Sequence, residues 1–61
     1  MLIKLYETRE VKIELRERII NEKFHEYTIR LTGKNIREEN HKYFNMGEAI
    51  DAYYQLIKIY E

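Results

Sequence analysis

Along residues 46–60, Met46, Ala49, Ile50, Tyr53, Leu56, Ile57 and Tyr60 recur at spacings of three and four, the period of one face of an α-helix. Glu48, Asp51, Gln55 and Lys58 fall on the other side. Asn45 stands just ahead of this stripe with Glu48 three residues on. That is a variant of the capping box, in which the cap side chain accepts from the N3 amide while the N3 carboxylate reaches back. The spacing predicts a helix over about 46–60. Tyr53 and Tyr60 belong to its packed stripe. Tyr54, with Ala52 and Ile59, widens the apolar surface beyond that stripe and marks a surface for a second partner, another protein chain being the simplest.

The first half of the chain has a different period. "VKIEL" alternates, with Val11, Ile13 and Leu15 on one side and Lys12 and Glu14 on the other. "HEYTIRL" does the same, with Tyr27, Ile29 and Leu31 inward and Glu26, Thr28 and Arg30 outward. Period two with β-branched and aromatic content predicts half-buried strands. "LIKLY" and "KYFN" are candidates for further short strands, and Asn21 in "INEK" is a turn residue between the two central ones.

Ile13, Ile20, Phe24, Tyr27 and Leu31 are also spaced 7, 4, 3 and 4. A long helix ending at Gly33, and hence a dimeric helical hairpin, is the competing fold for residues 8–32. The strict local alternation favours strands. The expected architecture is α+β: an antiparallel sheet of three or four strands packed by one C-terminal helix. Its core is Ile13, Leu15, Tyr27, Ile29, Leu31, Ala49, Ile50, Tyr53, Leu56 and Ile57. Glu17 interrupts the inward set, which a bulge or an exposed strand end accommodates. Lys12, Glu14, Arg16, Glu26 and Arg30 line the wet face, where cross-strand ion pairs are expected.

Sixty-one residues make one domain, residues 1–61, with a small core. There is no cysteine, so neither a disulfide nor a thiolate metal site adds stability, and self-association as a homodimer is the expected source of further burial. Eleven basic and eleven acidic residues cancel, whereas nucleic-acid binders are commonly basic. No apolar run reaches the roughly 20 residues of a membrane span, and the N-terminus lacks the pattern of a signal peptide. A soluble, cytoplasmic protein without a membrane partner is expected.

Candidate chemistry is sparse. Glu38, Glu39 and His41 lie within four residues, but a 61-residue domain under a covering helix leaves little volume for a cleft. No nucleophile elbow, phosphate loop or metal motif is present, so no catalytic residue, cofactor or metal is expected. His25 falls in the inward register beside Tyr27 and is expected to be a rim or core histidine with a satisfied partner rather than a ligand. Arg30, Lys34, Arg37 and Lys42 gather around "LTGKNIREENHKY" and are the candidates for phosphate contact.

"EYTIRLTG", a basic loop, "KYFN" and a helix opening "MGEAIDAYYQL" resemble, over residues 26–57, the arm-type DNA-binding domains of phage integrases. That resemblance implies a short sheet entering the major groove with a helix behind it, and DNA contact by Arg30, Lys34, Arg37 and Lys42. The strand-rich pattern ending in a helix also resembles small dimeric single-stranded DNA binders of the transcription-coactivator type. That likeness implies a basic sheet bearing aromatics, here Tyr6, Phe24 and Phe44. With zero net charge, the preferred expectation is a non-enzymatic protein-interaction or regulatory module. It would be a small homodimer of phage or mobile-element type, with Tyr54, Ile59 and Ala52 at its interface. A sheet-and-hairpin DNA-binding domain is the alternative.

Overall fold

The computed structural model describes all 61 residues. Four strands, β1 (Leu2–Glu7), β2 (Val11–Ile19), β3 (His25–Gly33) and β4 (Glu39–Tyr43), are followed by one helix, α1 (Met46–Tyr60). The strands form an antiparallel meander in the order β1-β2-β3-β4. The α+β expectation is met, and the helical hairpin is excluded. Local alternation over residues 11–15 and 25–31 outweighed the looser three-and-four spacing, because pairing gives those apolar residues one continuous buried face.

Register decides which residues share a side. Ile13 lies opposite Leu31, Leu15 opposite Ile29 and Glu17 opposite Tyr27, while Tyr43 lies opposite Tyr27 on the other flank. These side chains face α1. Val11, Ile13, Leu15, Tyr27, Ile29, Leu31, Ala49 and Tyr53 form the buried core. Of the residues expected there, Ile50, Leu56 and Ile57 pack against that core half-buried, and Val11 joins it instead. Burying an aliphatic side chain stabilises by about 1.5–3 kcal/mol, so this small central cluster carries most of the fold.

The termini of the elements follow local chemistry. The Asn45 side chain accepts from the Glu48 amide at 3.1 Å and starts α1, but the reciprocal Glu48 bond of a full capping box is not formed. Between β2 and β3, Asn21 Oδ1 accepts from the Lys23 and Phe24 amides at 2.8 and 3.0 Å, the Asx turn its sequence position suggests. Gly33 ends β3 where the backbone crowds. A Cβ there would stand 2.6 Å from the Glu10 carbonyl oxygen and 2.7 Å from Ile36 Cγ1. β4 starts earlier than "KYFN" and stops before Phe44, which places Glu39 and His41 on a strand rather than in a loop.

Glu17 sits neither in a bulge nor at an exposed strand end: it is in regular register opposite Tyr27 and its side chain is 13% exposed. Its carboxylate accepts from His25 Nδ1 at 2.9 Å, so the inward polar residue is paired rather than displaced. The irregularity lies in β1, between Leu2 and Lys4.

Candidate functional site

The sheet has a covered face and an open one. Alternation from the register puts Leu2, Leu5 and Glu7 of β1 on the open face, with Lys12, Glu14, Arg16 and Arg18 of β2. β3 adds Glu26, Thr28, Arg30 and Thr32, and β4 adds Asn40 and Lys42. Five cations and three carboxylates therefore share one surface, yet they do not sit at one depth.

Glu14 is drawn down. Arg16 donates to its Oε2 through Nε at 3.0 Å and Nη2 at 2.7 Å, and Lys12 Nζ stands 3.9 Å from Oε1. Glu26 is held by Lys42 at 3.7 Å. Side-chain exposure is 7% for Glu14 and 12% for Glu26, against 44% for Lys12, 53% for Arg16, 51% for Arg30 and 59% for Lys42. Long basic side chains bury their stems and keep their charge in water, whereas the shorter glutamates lie beneath them. Over the middle of β2, β3 and β4 the outermost groups are therefore cationic, while Glu7 at the β1 edge and Glu38 beside Arg30 remain exposed.

Ion pairing on this face runs along β2 (Lys12–Glu14–Arg16) and diagonally from β4 to β3. Glu14 and Arg30 are directly opposite in register but form no ion pair. Arg30 instead turns to Glu38 in the β3–β4 connection, donating at 3.3 Å, while Asn40 Nδ2 donates to the same carboxylate at 3.1 Å. These bonds, that from Asn40 first, hold the Glu38 carboxyl below the ordinary glutamate range.

The opposite side of the molecule has the reverse bias. Glu17, Glu39, Glu48, Asp51 and Glu61 are set there against Lys4 and Lys58. A formal charge of zero is thus a sum over two unlike surfaces.

The candidates named from sequence divide accordingly. Arg30 and Lys42 lie on neighbouring strands of the open face, while Lys34 and Arg37 are exposed in the β3–β4 turn at one end of it. Lys12, Arg16 and Arg18 share the open face with them but are not among those candidates. Period-two alternation in "VKIELRER" puts all three on one side, and for Lys12 and Arg16 it is also the pattern expected of cross-strand pairing. Tyr6 does not belong to the open face: it pairs with Ile13 and packs against the core. Phe24 and Phe44 are exposed but lie outside the strands. No aromatic ring remains on the open face.

Tyr54, Ala52 and Ile59 do not form one patch. Ala52 and Tyr54 flank Tyr53, about 100° to either side of it at 3.6 residues per turn. The Tyr54 ring meets Tyr53 edge-on at 5.3 Å and carries Lys4 Nζ of β1 over its face at 5.7 Å. Ala52 and Ile59 are on the other flank, where they line a shallow groove of about 180 Å³ with His41, Tyr43, Gln55 and Leu56. His41 Nε2 lies 3.0 Å from Glu39 Oε1 beside that groove.

No group of three or more His, Cys, Asp or Glu is arranged to hold a metal ion. No helix is long and apolar enough to cross a membrane. No protein-family model, curated protein or solved structure matches this chain.

Proposed function

We propose that this chain is a non-enzymatic binding module whose open sheet face takes a nucleic-acid duplex by its phosphates. The observation that carries this reading is the layering of charge on that face. Lys12, Arg16, Arg30 and Lys42 stand out about half exposed while Glu14 and Glu26 lie beneath them. Phosphate neutralisation by Lys and Arg supplies most sequence-independent affinity, and it depends on local surface charge rather than on the chain total. The molecule is 38 Å long, about one turn of B-form duplex. Beyond β1 and β4, the tip of the β2–β3 hairpin continues as a two-stranded ribbon bearing Arg18, a shape the major groove admits. Single-stranded binding by base stacking has no aromatic support on this face.

Fluorescence anisotropy of labelled duplex and single-stranded DNA, titrated at low and then physiological salt, tests the proposal. Duplex affinity is expected to fall steeply with salt, and the triple variant R16A/R30A/K42A should lose about 2.7 units of log–log slope at about 0.9 per phosphate contact. Absence of duplex binding at low salt would refute the reading. A protein-interaction role is favoured by a separate observation, the apolar flank formed by Ala52 and Ile59.

A further inference from the structure

We infer that the β4 edge and the Ala52–Ile59 flank of α1 form one surface, and that its occupant is a second copy of this chain, paired antiparallel β4 to β4. The two outer strands of the sheet differ. β1 is irregular between Leu2 and Lys4, and a bulge is one of the devices that blunt a sheet edge. β4 is regular over all five residues, has no proline, and nothing pairs with its outer side. It offers a row of free backbone donors and acceptors.

Beside that row lies the groove between β4 and α1. Ile59 is 70% exposed at its rim, and the small Ala52 leaves room for close approach. A strand added at β4 would cover both features at once.

The charge order of the edge selects the occupant. Acidic residues Glu38 and Glu39 precede the strand's midpoint and Lys42 follows it. Antiparallel pairing centred on His41 sets Lys42 of one copy opposite Asn40 of the other and diagonal to its Glu38 on the open face, which is complementary, while Glu39 lies on the covered side opposite Tyr43. Parallel pairing would set like against like. Such a two-fold contact is self-complementary, as a closed homodimer requires. Full overlap of two five-residue strands puts His41 opposite the His41 of the second copy, and the two open faces become one surface. This inference does not rest on nucleic-acid binding.

Light scattering coupled to size exclusion should give a mass of about 15 kDa, twice the 7.6 kDa of the chain. Ile59→Asp and Ala52→Glu should each weaken association by about tenfold or more, with far-ultraviolet circular dichroism showing both still folded. The chain lacks cysteine, so His41→Cys is a clean probe. Directly opposed antiparallel residues have Cα atoms about 4.5–5.5 Å apart, within disulfide reach, and mild oxidation should give a covalent dimer. Leu5→Cys on β1 should not. A monomer at all concentrations up to millimolar would overturn the inference and leave the groove to an unlike partner. A dimer indifferent to Ile59→Asp, or one whose His41→Cys variant fails to cross-link, would overturn it equally.

Discussion

If the open face binds phosphate because Glu14 and Glu26 lie submerged beneath its cations, then neutralising one of them should tighten binding more than neutralising an acid elsewhere. Glu14→Gln is the informative change. The amide oxygen still accepts from Arg16, so the side chain keeps a partner, and the loss of a charge-assisted bond should cost about 1 kcal/mol or somewhat more of stability. A phosphate in contact with Arg16 would lie roughly 8 Å from the Glu14 carboxylate, where the repulsion is about 0.5–1 kcal/mol at an effective dielectric of 40–80. Removing it should raise duplex affinity about two- to fivefold. Arg16, released from its 2.7 Å bond to Glu14, gains freedom to contact phosphate, which should steepen the salt slope by up to about 0.9.

The control is Asp51→Asn, an equal change in net charge on the outer side of α1. That position is separated from the open face by the sheet and the helix, roughly 20 Å, twice the screening length of about 10 Å at 0.1 M salt. Its effect on affinity should be within error. Anisotropy at 0.1 M salt reads both variants, and urea unfolding confirms that each is folded. Equal gains from Glu14→Gln and Asp51→Asn would show that total charge governs binding, and the layered-face argument would fail. Binding retained with neither variant changing it would place the ligand away from β2.

Two further outcomes concern stability. The Glu17 carboxyl is held below the ordinary glutamate range, chiefly by its bond with His25 and against the opposing effect of burial. Its folded value is depressed, so its contribution is present above the unfolded value and is lost as pH falls through the folded one. Glu17→Gln should flatten the decline of the urea midpoint at acidic pH, and a wild-type slope in the variant would contradict the assignment. Gly33→Ala forces a Cβ to within 2.6 Å of a backbone carbonyl, an overpacking expected to cost about 1–3 kcal/mol. Gly47→Ala meets only the Asn45 side chain, at 3.1 Å, and should be near neutral by urea unfolding because the helix propensity of alanine offsets the crowding.

Much of this fold could be read from the chain because period is a local property. The stripe from Met46 to Tyr60 and the alternations in "VKIEL" and "HEYTIRL" each report a face without reference to any other element. Register is not local, and the functional surface depends on it. Nothing in the order of residues says that Lys42 reaches Glu26, that Arg30 turns from Glu14 to Glu38, or that Glu17 finds His25 across the hairpin. The helix shows the same boundary. A helical wheel alone separates Ala52 from Tyr54 by about 200°. It does not say that one flank meets Lys4 of β1 while the other lines a groove with His41 of β4. Net charge was the least informative quantity, since a sum discards position. Side-chain length is what recovers it. On a pleated face where Glu alternates with Arg and Lys, the shorter carboxylates tend to sit below the longer cations, so such a strand presents positive charge to a ligand even when its formal charge is close to zero.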